Sequence, residues 1–198
     1  MSSDHRYAAV DVPVNGRIAL SLSYCGAAFH GWQAQKSGLP TVQKALEQAV
    51  SKVANHPVEL VCAGRTDKGV HASHQVVHFD TPSMRSPRSW VFGVNANLPR
   101  GISVSWVGKV SDEFHARFSA ISRRYHYVIF NHPIRPALYG NELSWFHYPL
   151  DADLMHRAAQ CLVGEHDFTS FRAVGCQSKS PYRRLEFVNV SRFGQLIV

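Results

Sequence analysis

The chain has 198 residues, 45% hydrophobic and 18% charged, a balance that fits a folded globular protein and excludes a disordered one. No apolar run reaches the length of a membrane span, and residues 1–16 read as a polar tail without the apolar core of a signal peptide. Basic residues number 21 against 14 acidic ones, for a net charge of +7, and 15 of the 21 are arginines, whose planar fork suits phosphates and stacks on bases.

In chain order, residues 17–24 alternate Ile18, Leu20, Leu22 and Tyr24, which predicts a strand with one buried face. Residues 41–54 place Val42, Ala45, Leu46, Ala49, Val50 and Val53 on one helical stripe, with Thr41 as the N-cap. A short apolar strand is expected over 58–63 and another over 75–79, ended by Thr81 and Pro82. Residues 86–98 read as a helix, and Ile102, Val104 and Trp106 alternate in a strand. The order strand, helix, strand, strand, helix, strand is the split βαβ, ferredoxin-like pattern of an α+β fold with a mostly antiparallel sheet.

The second half starts the pattern again. Residues 123–130 read as a strand, and 151–163 as a helix with Leu154, Met155, Ala158, Cys161 and Leu162 inward, capped by Asp151 and ended by Gly164. A strand is expected over 184–191, a turn at Phe193 and Gly194, and the start of a last strand at 195–198. By analogy with the first half, one helix and one strand are missing, so the sequence is expected to be a fragment or shortened form; the alternative is a smaller second domain. The expected organisation is a tail over 1–16, a domain over 17–110 and a second, incomplete domain over 111–198.

The four cysteines, Cys25, Cys62, Cys161 and Cys176, are far apart and form no C-x-x-C pair, which leaves zinc and redox motifs unsupported and fits reduced thiols in a cytoplasm. His71, His74 and His78 are spaced H-x-x-H-x-x-x-H, yet no cysteine or glutamate falls at ligand spacing, so a structural or RNA-facing role is preferred to a metal. The zinc-deaminase pattern is absent, and no second carboxylate pairs with a first as a glycosidase requires.

The stretch "CAGRTDKGV" at 62–70 sets one carboxylate, Asp67, between Arg65 and Lys68 on a glycine-bounded loop. Neighbouring cations keep such a carboxylate ionised, which suits nucleophilic attack or charge stabilisation. A turn between two strands would favour the same residues, so the pattern alone leaves both readings open. Two further segments carry cations beside aromatic rings. Residues 114–135 hold Arg117, Arg123, Arg124 and Arg135 with Phe118, Tyr125 and Tyr127, and residues 171–184 hold Arg172, Lys179, Arg183 and Arg184 with Tyr182. Structured RNA calls for this combination, although most such rings would serve equally in a core.

With these stretches in view, the sequence resembles the tRNA pseudouridine synthase A family. The resemblance rests on "GRTDKGVHA" at 64–72, "FHGWQAQ" at 29–35, "VNANLP" at 94–99, "FHARFSAISRRYHYVIFN" at 114–131 and "GEHDFTSFRA" at 164–173, in that order. It implies two ferredoxin-like domains lining a basic RNA-binding cleft, a homodimer, no metal or organic cofactor, and conversion of uridine to pseudouridine at positions 38, 39 and 40 of the tRNA anticodon arm. Carried over by residue, Asp67 is the catalytic aspartate, Arg65 holds the flipped nucleotide, and Tyr125 stacks on the uracil. Phe114, His115, Ala116, Arg117 and Phe118 line the RNA, as do Gly175, Cys176, Gln177, Ser178 and Lys179, with Arg85 a further contact. Many relatives carry a polar residue at the position of Gly175. The family's pattern also continues into an "MVRN"-like helix whose arginine pairs with the aspartate. Two rivals stand beside this reading: a catalytically silent tRNA-binding module, and a generic phosphate-binding α+β domain.

Overall fold

The computed structural model describes residues 13–35, 38–172 and 180–198. Most of the predicted tail and all of Gly175, Cys176, Gln177, Ser178 and Lys179 therefore lie outside the described residues. The chain divides into two compact units, Met1–Arg123 and Arg124–Val198.

In the first unit the order is β1 (Val14–Tyr24), α1 (Val42–Ala54), β2 (Val61–Cys62), β3 (Ala72–Arg85), α2 (Pro87–Asn97) and β4 (Ile102–Lys109). The sheet runs β2-β3-β1-β4 with every pair antiparallel, which is the split βαβ arrangement predicted. Ile18, Leu20 and Leu22 of β1 and Val77 and Phe79 of β3 are buried in one cluster with Leu46 and Val50 of α1 and Trp90 and Val94 of α2. Thr41 caps α1 by accepting from the Lys44 amide, and Ser86 caps α2 by accepting from Ser89, with Pro87 in the first turn.

The bounds of β2 and β3 differ from the predicted ones, each for a visible reason. β2 is shorter than 58–63 because the Val58 amide donates to Ser51 Oγ (2.9 Å) and the Leu60 amide to Glu47 Oε1 (3.1 Å). Those donors go to α1 rather than to a strand, although Val58 and Leu60 are buried. β3 continues through Thr81 and Pro82 to Arg85, because its pairing with β1 shifts there: Gly16 faces Thr81 and Val14 faces Arg85. Pro82 falls in that irregularity, where a missing amide breaks no ladder bond. Where β1 pairs with β4 the register slips between Ser21 and Leu22, and Asn95 of α2 takes both backbone groups of Val104, each at 2.8 Å.

The second unit contains β5 (Ile129–Asn131), β6 (Ser144–Phe146), α3 (Ala152–Ala159), a 3-10 turn (Gln160–Leu162), β7 (Gly164–Asp167), β8 (Tyr182–Leu185), β9 (Arg192–Phe193) and β10 (Leu196–Ile197). One sheet is β6-β5-β10-β9, with β5 and β6 parallel, and β7 and β8 form a separate antiparallel pair. The strand predicted over 123–130 begins only at Ile129, since β10 pairs with Ile129 and Phe130 alone. The strand predicted over 184–191 ends at Leu185; beyond it the Val188 carbonyl accepts from Gln160 and the Val190 amide donates to His156 Nδ1. Asp151 caps α3 as predicted, by accepting from the Leu154 amide. The stripe expected to face inward is open, however: Leu154 is 56% exposed, and Ala158, Cys161 and Leu162 are exposed as well. No helix is long and apolar enough to cross a membrane among the described residues.

Candidate active site and RNA-facing surface

The loop 63–71 leaves β2 and enters β3, so its two ends are set by the sheet: the Ala63 amide donates to Val76 O, and the Gly64 amide to Gln75 Oε1. Its middle is pinned from the other side by the chain that follows β1. The Trp32 amide donates to Thr66 O at 2.9 Å, and Gly26 N donates to His71 Nδ1 at 3.2 Å. Two glycines make this approach possible. A Cβ on Gly26 would lie 2.1 Å from Val70 O. One on Gly31, whose φ is +88°, would lie 2.9 Å from Thr66 O. Trp32 and Phe29 are buried beside them and hold the clamp in the core. The "FHGW" stretch is thus the support of the "GRTD" loop.

Within the loop the Thr66 hydroxyl meets Tyr24 Oη at 2.8 Å. Burial pushes the Tyr24 phenol up, with the Thr66 bond opposing it, so the hydroxyl stays a neutral partner. With Thr66 fixed inward and the Val70 amide closing back on Asp67 O at 3.2 Å, Asp67 is presented to solvent, flanked by exposed Arg65 and Lys68.

Residues 114–118 follow β4 and fold back on the same sheet. Arg17 holds their start: its Nη1 donates to Asp112 O and to Phe114 O, while Nε and Nη2 grip both oxygens of Asp80 at 2.8 Å. That grip holds the Asp80 carboxyl below its ordinary range. His78 of β3 is buried and its Nδ1 accepts from the Ala116 amide at 3.1 Å. The end of the segment is open. Phe118 is 76% exposed, its ring lies 4.3 Å from that of His115 in a stack, and the Arg117 guanidinium sits over it at 5.6 Å. His115 Nδ1 accepts from the Arg117 and Phe118 amides, which fixes this platform from within. An exposed ring beside an imidazole and a guanidinium offers a stacking surface and a cation suited to a nucleobase and its phosphate.

The histidines His71, His74 and His78 take separate partners: Gly26 N, Ser21 Oγ and Ala116 N. They support the loop, the sheet and the platform respectively. Arg85 ends β3 at the opposite extremity from the loop, roughly 40 Å along the strand at the usual rise per residue. Tyr125 belongs to the second unit and is 79% exposed. The anchoring roles of Arg17 and His78 were not recognisable from local pattern, because their partners lie 95 and 38 residues away.

Comparison with known proteins bears on these residues directly. The family model for tRNA pseudouridine synthase matches residues 21–119 and 158–197, which takes in the loop, its clamp and the platform. The chain belongs to the tRNA pseudouridine synthase family. It is 57% identical over 182 residues to the tRNA pseudouridine synthase A of Cronobacter sakazakii, covering 92% of this chain and 67% of that one. To the Citrobacter koseri protein of the same name it is 54% identical over 190 residues, 96% of this chain and 70% of the other. The Escherichia coli K12 protein of that name is 54% identical over 182 residues, again 92% and 67%. The chain thus spans 67–70% of the length of these pseudouridine synthases. Asp67, Arg65, Arg85 and the 114–118 platform fall in the first matched stretch and 175–179 in the second, while Tyr125 lies between the two.

Proposed function

We propose that this chain is a tRNA pseudouridine synthase that isomerises uridine at positions 38, 39 and 40 of the anticodon arm, with Asp67 as the catalytic carboxylate. The observation that carries the reading is a single exposed aspartate on a loop locked at both ends and clamped in the middle by Gly26, Gly31 and Trp32. Such a loop holds a reacting group in place without reorganisation at the moment of reaction.

The reaction begins with a uridine turned out of its stack, which an enzyme working on a base must achieve. Arg65 helps hold that nucleotide out of the stack. Asp67 then acts on the nucleotide by one of three routes: attack on C1′, attack on C6, or removal of a 2′ proton. The N1–C1′ bond breaks, the uracil rotates while held, and a C5–C1′ bond forms. The proton on C5 departs and N1 gains one, so atoms and electrons balance without oxidant, reductant or cofactor. Tyr125 stacks on the uracil near the C5 proton. His115, Arg117 and Phe118, with residues 175–179, hold the surrounding RNA, and Arg85 contacts a more distant part of it. The first unit, Met1–Arg123, supplies the catalytic loop and the 114–118 platform, and the second supplies further RNA surface, in a cytoplasmic homodimer.

The test is tritium release from tRNA carrying 5-[³H]uridine. Release by the wild-type chain and none by Asp67→Asn, with tRNA binding retained, is expected. Equal release by the variant would sink the role of Asp67. Binding without release by the wild type would instead identify a silent tRNA-binding module.

A further inference from the structure

The loop base and the platform meet on one side chain. Arg123 donates from Nε and Nη2 to Ala63 O, at 3.2 and 2.6 Å, and from the same Nη2 to Arg117 O at 3.2 Å. Ala63 follows the last residue of β2, and Arg117 lies in the turn that carries the Phe118 ring. Gly64 leaves room for this arrangement: a Cβ there would sit 3.3 Å from Arg123 Nε and 3.5 Å from Cδ. A guanidinium is suited to the task because its fork is planar, permanently charged and able to donate in two directions at once, whereas an ammonium is a compact point charge. The charges of Arg65, Arg117 and Arg123 also all act on the Cys62 thiol, which burial pushes up and these cations oppose. Three guanidinium groups therefore gather at the end of β2.

We propose that Arg123 is a positioning residue of the RNA site: it latches the Arg117–Phe118 platform to the base of the Asp67 loop through backbone carbonyls rather than serving as a phosphate contact. Arg117 and Phe118 are thereby held at a set place relative to Asp67, as a base and its flanking phosphate require. The proposal rests on the reading of the loop and platform as an RNA site.

The test compares the full chain with Arg123→Lys and Arg123→Met in two measurements that need no turnover. One is hydrogen exchange at the Arg117 and Phe118 amides. The other is binding of an unmodified tRNA transcript across a range of salt concentrations. The latch predicts faster exchange at both amides in both variants. It predicts binding weakened about tenfold, which is about 1.4 kcal/mol, in Arg123→Lys as much as in Arg123→Met, since charge without the fork does not restore the bridge. It also predicts a salt slope for Arg123→Lys equal to that of the wild type. Wild-type binding by Arg123→Lys, or a salt slope for Arg123→Met shallower by about 0.7–0.9, would assign Arg123 to a phosphate and overturn the proposal. Unchanged exchange in both variants overturns the latch itself, and faster exchange with unchanged binding overturns its positioning role. A wild-type chain that binds no tRNA defeats the RNA reading, and exchange alone then judges whether the latch exists.

Discussion

Thr66 and Asp67 are adjacent and have opposite surroundings: one hydroxyl is committed to the Tyr24 phenol, the other side chain faces solvent. This division lets a polar loop be rigid while its carboxylate stays open to solvent, because one residue satisfies the interior and leaves its neighbour exposed. His78 has a similar anchoring role for the platform, and its chemistry makes that role sensitive to pH. Burial lowers its pKa from the ordinary 6.5, and the nearby His115 and Arg17 charges lower it further, against Asp80. The unfolded chain therefore binds a proton at this position more readily than the folded one. The stabilisation is fully present above about pH 6.5 and is lost as pH falls toward the depressed folded value. Melting followed between pH 7.5 and 5.5 is expected to show a fall that His78→Asn, which keeps an acceptor but does not titrate, makes smaller; an equal fall in the variant would place the acid sensitivity elsewhere.

Among the elements, the clamp between β1 and α1 decides the geometry of the Asp67 loop. Gly31 is fixed in two ways, by a left-handed backbone and by the Thr66 carbonyl, so any Cβ must strain the turn and push the loop. Gly31→Ala is expected to destabilise the first unit by about 1–3 kcal/mol. It should slow tritium release by on the order of 100-fold, since small misplacements of a reacting group have effects of that size. Binding of tRNA should change far less, because the platform of Phe118 is anchored through Arg17 and His78 rather than through this turn. Parallel losses in rate and affinity would show that the clamp supports the whole surface and not the loop alone. β2 illustrates the same competition between partners: Val58 and Leu60 are as apolar and buried as strand residues, but their amides find side chains of α1 first.

For the molecule as a whole, the two units are unequal in burial. The first has an extensive buried cluster drawn from four strands and both helices. Among the described residues of the second, Ala152 and Ile197 are the buried apolar ones, while Leu154, Phe171, Phe187 and Phe193 are more than half exposed. Local opening requires less free energy where little apolar surface is buried. Brief trypsin treatment of the 198-residue chain is expected to cut at Arg157, Arg183 or Arg184 before any site between β1 and β4; simultaneous loss of both units would contradict this.

What the sequence determined by itself is the part governed by short-range pattern: the α+β class, the alternating strand β1, the capped helix α1, the helix α2, and the loop that carries Asp67. Those features need only periodicity, capping chemistry and a run of unusual residues, all within a dozen positions. The Asp67 loop was also conspicuous because one carboxylate stood among cations, whereas Arg17 looked like an ordinary member of a basic chain and the pattern around His78 and Arg123 did not show their partners. Only the tertiary structure decided their roles, and it also decided the length of β2, the passage of β3 through Pro82, and the open stripe of α3. In each case the outcome depends on which distant group satisfies a backbone donor or acceptor, or covers an apolar face. Local sequence does not encode that partner, because it is supplied by another element brought near only when the chain folds.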